Sequence, residues 1–362
     1  MDLSSFSQHY AEARQKFLDA SLAAGLLIES WVHPLPGRDG EELALDVARL
    51  GAPDAANLLV ISSGCHGAEG FCGSGLQVDL LRDAAWFKRC KRDDLAVLFL
   101  HALNPHGFSW LRRVNEDNVD LNRNFLDFTQ PLPDNPDYRA VVHLLLPKRQ
   151  PPTLSSTLGL IGYALRNGRK ALQSGISRGQ HSDPRGLFFA GTAPVWSNLT
   201  LRRILRQHGQ HCQRIGWIDV HTGLGPTGVG EYIYKGRQEP EDIARGRSWW
   251  GEKMTNSAEG NSVSAELNGT IDLMVLETCP QAQYNGLTLE YGTQSGIKVL
   301  NALRADHWLY CNPLAPDAQI QRIKCQLRDA FYVDTDAWKR AVLQQGRKVL
   351  DLTVFNLTKP LL

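Results

Sequence analysis

Asn57-Leu-Leu-Val-Ile-Ser62-Ser-Gly-Cys-His66-Gly-Ala-Glu69-Gly70 governs the reading of the whole chain. Its first half is a continuous apolar run, as expected of a strand buried on both faces. Its second half places a His and a Glu three residues apart among glycines, just past the strand's carboxyl end. That is where α/β proteins build their sites. The flanking glycines let the backbone turn sharply, so both side chains can aim at one point. An imidazole nitrogen with a carboxylate oxygen is a zinc-type pair, although a surface loop would also carry His-x-x-Glu.

Working outward, Leu95–His101 (Leu-Ala-Val-Leu-Phe-Leu-His) and Arg214–Val220 (Arg-Ile-Gly-Trp-Ile-Asp-Val) repeat the buried-strand pattern. Gly230–Lys235 and Leu287–Tyr291 read as further strands, and Leu26–His33 with Glu42–Leu50 as a hairpin around Pro34–Gly40. Helical spacing covers 3–25, 72–90, 159–178, 194–209, 293–310, 315–331 and 335–350. Six prolines punctuate 131–157, leaving one short helix at 136–147. Strands alternating with helices predict an α/β fold with a mixed, largely parallel twisted sheet flanked by helices. No composition shift marks a boundary, so 1–362 is expected to form a single domain, with the N-terminal helix and hairpin of 1–50 packing onto it.

Composition narrows the function. With 39 Lys+Arg against 38 Asp+Glu, the net charge of +1 gives no footprint for nucleic acid or an anionic membrane. No apolar run is long enough for a membrane span. The N-terminus reads as the start of an amphipathic helix rather than a secretory signal. Seven scattered cysteines without a Cys-x-x-Cys pair point to free thiols and a cytoplasmic setting.

Three more segments hold chemistry at predicted strand ends. After Leu95–His101 comes Asn104-Pro-His106-Gly107, then Arg112-Arg113-Val-Asn-Glu-Asp-Asn-Val-Asp120-Leu-Asn122-Arg123-Asn-Phe125. Residues 113–123 hold two arginines, three acids, three asparagines and no lysine. A solvated loop would look similar, but arginine is the residue for bidentate carboxylate or oxyanion recognition. Trp217-Ile-Asp219-Val-His221 is a buried strand ending in His, with Asp219 and His221 on one side by alternation. In Leu287-Thr-Leu-Glu290-Tyr291 an acid interrupts an apolar strand, which is costly unless the acid is paired or catalytic. Together these segments supply two His, a Glu ligand, a spare carboxylate and arginines, the inventory of a catalytic zinc site.

These residues, in this order, resemble the zinc carboxypeptidase superfamily (M14-type metallopeptidases), in particular its bacterial branch known as DUF2817. Val119-Asp-Leu-Asn-Arg-Asn-Phe125 is the most specific string, and Asn104-Pro-His-Gly107 is similar to the family's Asn-Pro-Asp-Gly turn with His106 in place of the acid. The resemblance implies one Zn2+ per chain, held by His66, Glu69 and His221. It implies Glu290 as general base, Arg113 as the oxyanion arginine (Arg112 is the neighbouring alternative), Asn122 and Arg123 as the grip on a terminal carboxylate, and Asp120 as the partner of His66. Cobalt or nickel would suit the same ligands. The implied activity is cleavage of the amide next to a free terminal carboxylate. The alternatives are N-acyl amino acid hydrolysis of the aspartoacylase and succinylglutamate desuccinylase type, and a non-catalytic metal- or peptide-binding relative. The digestive-type enzymes carry a mobile tyrosine before the base; Tyr232, Tyr234 and Tyr284 are all nearby, and none is assigned.

Other signals are set aside. Gly223-Leu-Gly225-Pro-Thr-Gly228 matches a dinucleotide fingerprint but precedes a strand rather than a helix. Gly175-Ile-Ser177-Arg-Gly179 follows a helix, unlike a nucleophile elbow. Cys65, Cys72, His101 and His106 read as structural, and Trp249-Trp250 as core.

Overall fold

The computed structural model describes residues 2–146 and 148–359. In chain order the elements are α1 (Tyr10–Ala23), β1 (Leu27–Val32), β2 (Ala44–Leu50), β3 (Asn57–Ser63), α2 (Gly70–Leu81), α3 (Ala84–Cys90), β4 (Leu95–His101) and α4 (Pro105–Ser109). Then come α5 (Pro136–Leu145), α6 (Leu154–Asn167), α7 (Arg169–Ser177), α8 (Trp196–Gly209), β5 (Arg214–Thr227), β6 (Gly230–Lys235), α9 (Pro240–Trp250) and β7 (Met254–Thr255). The chain continues through α10 (Ile271–Thr278), β8 (Gln283–Gly292), α11 (Gly296–Cys311), α12 (Asp317–Phe331) and α13 (Asp336–Leu357).

The eight strands form one sheet in the order β1-β2-β4-β3-β5-β8-β6-β7. The centre, β4-β3-β5-β8, is parallel. β1, β2 and β6 join antiparallel, so the sheet is mixed with a parallel core. The N-terminal hairpin is thus an edge of this sheet, where packing onto a domain had been expected.

Apolar runs without alternation are explained by burial on both faces. In β3, Leu59 and Ile61 join one core with Phe71, Leu76 and Val349, while Leu58 and Val60 join another with Ile204, Leu205 and Val275. Trp249 and Trp250 belong to the first core, as expected.

Local sequence explains the departures from the predicted elements. The helix expected over 72–90 breaks because the Asp83 carboxylate accepts hydrogen bonds from the Ala85 and Trp86 amides, capping a new helix. The helix expected over 159–178 breaks at Gly168, whose φ of +90° no other residue adopts easily. The helix expected to start at residue 3 is a short 3-10 turn, Leu3–Ser5, followed by α1. The short helix expected over 136–147 ends at Leu145; its last predicted residue, Pro147, lies outside the described residues, as do Met1 and 360–362. The glycines of 223–228 extend β5 to Thr227, and no helix follows them, consistent with setting the dinucleotide signal aside. Ser177 ends α7, with its hydroxyl donating to the Gln173 carbonyl. Among the described residues, no helix is long and apolar enough to cross a membrane.

Candidate metal centre

The chain leaves β3 for β4 on one side, then returns to lay β5 on the other side of β3. Such a switch of direction opens a crevice at the carboxyl ends of the two strands. His66 lies just past β3, and His221 lies on β5 in register with Glu290 of β8. Close backbone approach fixes the His66–Glu69 turn. The Gly67 and Ala68 amides donate to the Arg113 and Arg112 carbonyls at 3.2 and 2.8 Å. A Cβ on Gly67 would stand 1.9 Å from the Gly107 carbonyl carbon, so this position requires glycine. Asn104 holds the facing turn by accepting from the Gly107 amide at 2.8 Å.

Within this frame the donors converge. His66 Nδ1 lies 2.9 Å from Glu69 Oε1, and His221 Nδ1 lies 3.1 Å from Glu69 Oε2. The two Nδ1 atoms are 3.2 Å apart. His66, Glu69 and His221, all buried, therefore offer three ligand atoms within 4.8 Å of one another. The outer nitrogen of each ring faces a second carboxylate, His66 Nε2 to Asp120 at 3.2 Å and His221 Nε2 to Asp219 at 2.6 Å. A carboxylate that accepts from Nε2–H leaves the Nδ1 lone pair for a cation, as Asp219 does for His221; at His66 the Arg113 guanidinium competes with Asp120 for Nε2. Two imidazoles and one carboxylate, each oriented from behind, fit zinc. Asp219 is itself held, accepting from Ser62 Oγ at 2.6 Å.

Asp219 was missed as a functional partner in the sequence, although its two-residue spacing from His221 on a strand was the available signal. Cys65 also stands near Asp219 and His221. Burial pushes its thiol up to about 12, which disfavours the thiolate a metal needs.

Arg113 and Arg112 part company. Arg113 donates to Glu69 Oε1 at 2.9 Å and Asp120 Oδ2 at 3.0 Å, and its Nη2 lies 2.8 Å from His66 Nε2. Arg112 turns away to Asp306 and Asn118. Asp120 is fully buried, which by itself would raise its pKa, but Arg113, Arg123 and His66 hold it well below the usual carboxylate range. Glu290 is the opposite case. Burial first, then the charge of Glu69, pushes it up to about 8, while the Leu224 amide donates to its Oε1 at 3.0 Å.

These groups face a cavity of about 320 Å³, which Asn122 and Arg123 also line. The Arg123 guanidinium donates to the carbonyls of Ser177 and Asn122. Those bonds use three of the five N–H donors an arginine carries. The Asn122 side-chain oxygen accepts from the Ile271 amide at 3.2 Å. The structure thus brings His66, Glu69, Arg113, Asn122, Arg123, His221 and Glu290 to one cavity, with Asp120 behind His66. Among the described residues no tyrosine lines it. His101 is buried in the core, bonded to Ser74 and stacked on Phe17, and His106 stacks on Trp110.

Comparison with solved structures finds carboxypeptidase A from Helicoverpa armigera, 10% identical over 90% of this chain and 75% of that one, with a TM-score of 0.44. A metallo-carboxypeptidase from Pseudomonas aeruginosa is 14% identical over 90% and 68%, with a TM-score of 0.40. An aspartoacylase family protein from Mesorhizobium loti is 16% identical over 78% and 66%, with a TM-score of 0.40. No curated protein matches the chain. A family model described as protein of unknown function (DUF2817) matches residues 6–345. Because that match spans nearly the whole sequence, the chain belongs to the DUF2817 family.

Proposed function

We propose that this chain, acting as one unit, is a zinc-dependent hydrolase of carboxypeptidase type that cleaves the amide bond next to a free terminal carboxylate. The observation that carries this reading is the convergence of His66 Nδ1, His221 Nδ1 and the Glu69 carboxylate at a cavity that Glu290, Arg113 and Arg123 also line.

A zinc ion on these ligands would supply Lewis acidity, making water more acidic and the scissile carbonyl more electrophilic. The chain's own residues do the rest. Glu290 takes a proton from the attacking water on a carboxylate oxygen and returns it to the leaving nitrogen. Its burial favours the protonated form that this return requires. Arg113 is the cationic donor beside the ligand set, where charge grows on the carbonyl oxygen. Arg123, with donors left over from its backbone bonds, and Asn122 hold the terminal carboxylate and orient the amide. Asp219 keeps the His221 imidazole in the tautomer that presents Nδ1, and Asp120 stands behind His66 Nε2 to do the same there. We place the protein in the cytoplasm, since its cysteines are unpaired among the described residues.

The test starts with elemental analysis of wild-type protein beside His66→Ala and His221→Ala. Near-stoichiometric zinc in the wild type, lost in both folded variants, is expected. Metal unaffected by both changes overturns the site. The zinc-loaded protein is then assayed on peptides with free or blocked C-termini and on N-acyl amino acids. Cleavage confined to free C-terminal peptides is expected; activity only on acyl amino acids replaces the peptidase with an amidohydrolase.

A further inference from the structure

The cavity carries more positive charge than one terminal carboxylate needs. Arg113 is committed to Glu69 and Asp120, and Arg123 largely to backbone carbonyls. Arg169 lines the same space from its exposed rim. The remaining cation is Lys235, the last residue of β6.

Register fixes where Lys235 stands. Across the antiparallel pair Glu231 faces Glu290, Ile233 faces Thr288, and Lys235 faces Gly286. Ile233, Lys235 and Thr288 all line the cavity. Lys235 is therefore four residues along β6 from the position opposite the general base, about 13 Å at a strand's rise of ~3.3 Å per residue. Lys235 also borders a small crevice beside the cavity, with Asp219, Asp272 and Thr288. Among the described residues its ammonium has no hydrogen bond and no ion pair; Asp272, Asp219 and Glu290 favour its charge through space, and Arg123 opposes it. Burial lowers its pKa from the ordinary lysine value. A half-buried ammonium without an ion pair is unfavourable, and an anion bound in the cavity would relieve it.

We propose that Lys235 is a specificity-determining residue that pairs with a side-chain carboxylate on the substrate's terminal residue, so that the site prefers substrates ending in glutamate or aspartate. The α-carboxylate stays with Arg123, and the scissile amide lies toward Glu290. This proposal rests on the hydrolase reading above for the placement of the substrate.

The experiment compares kcat/KM for N-acylated dipeptides ending in Glu, Gln and Lys, using zinc-loaded wild type, Lys235→Gln, Lys235→Glu and Lys235→Arg. A charge-assisted hydrogen bond predicts about a tenfold or greater preference for Glu over Gln in the wild type. The ratio should fall to near one in Lys235→Gln, persist in Lys235→Arg and turn toward Lys-ended substrate in Lys235→Glu. A wild type that does not prefer Glu over Gln overturns the proposal without any variant. So does a ratio unchanged in Lys235→Gln, the result expected if Lys235 serves only Asp272.

If the wild type cleaves none of these, the hydrolase reading fails separately. Calorimetric binding of N-acetylglutamate and N-acetylglutamine to the same proteins then decides on Lys235. A preference for the acid that Lys235→Gln abolishes supports the proposal; equal affinities overturn it.

Discussion

Arg112 and Arg113 are neighbours in sequence and head two different buried charge clusters. Arg113 joins His66, Glu69 and Asp120. Arg112 pairs with Asp306, which also takes the Lys324 ammonium at 2.6 Å, and its guanidinium lies 4.4 Å from the centre of the Tyr310 ring. Both clusters are shielded from water and dense in opposite charge. Yet the first opens on the cavity of about 320 Å³, whereas Arg112 and Asp306 border a crevice of about 10 Å³. In the second cluster two cations share one carboxylate and spend further donors on the Asn118 side chain and the Leu111 carbonyl, joining α11 and α12 to the loop before residue 120. In the first, the two Nδ1 atoms and the Glu69 carboxylate crowd one point at the cavity, with Arg113 bonded to one Glu69 oxygen beside it. Buried charge by itself therefore does not mark a site. Convergence of lone pairs beside open space does.

Substitutions can break or sharpen that contrast. The largest effect is expected from Glu290→Gln, which should lower kcat by about 10²–10⁴. Zinc content, by elemental analysis, should stay unchanged. Next, Lys324→Met leaves Asp306 held by Arg112 alone and should cost about 1–3 kcal/mol of stability. This is read by denaturant unfolding, with zinc content intact; a Lys324→Met protein that loses zinc would merge the two clusters into one.

Arg113→Gln should reduce kcat by about 10²–10³, as for removal of an oxyanion donor. Steady-state kinetics of Arg112→Gln should show no comparable fall, and equal losses in both would erase the distinction between the neighbours. The smallest effect is expected from Asp219→Asn, which keeps the shape but weakens the hold on His221. Zinc affinity should fall about 10–100-fold in a chelator competition.

Much of this was legible in the sequence for physical reasons. β3, β4 and the first part of β5 announce themselves because strands buried on both faces cannot carry polar side chains along their length. The ligands stand out because each is polar at the end of such a run. What stayed hidden was partly local and partly a matter of tertiary contact. The break at Asp83 comes from a side chain capping its own backbone, inside a pattern that otherwise reads as one helix. α9 went unread although Pro240 at its start, Glu241 and Asp242 in its first turn, and Gly251 past its end are ordinary helix signals. Lys235 looks like any strand-terminal lysine until the β6–β8 register turns it toward the cavity. The resemblance alone ranks Arg113 ahead of Arg112 in the sequence, and in the structure the two side chains diverge from adjacent Cα atoms.

One feature of the fold bears on how such a protein can change over time. The ligands and Glu290 are mounted on central strands or the turn just after one, whereas one wall of the cavity is lent by α7, inserted between Arg123 and His221. α7 touches the strand-borne chemistry through the Ser177 carbonyl, which receives Arg123. An inherited change of length or sequence across α6 and α7 would alter which molecules fit while leaving the proposed ligands and Glu290 on their strands. Relatives that keep the ligands and Glu290 yet differ across residues 154–177 should therefore share a chemistry and diverge in diet.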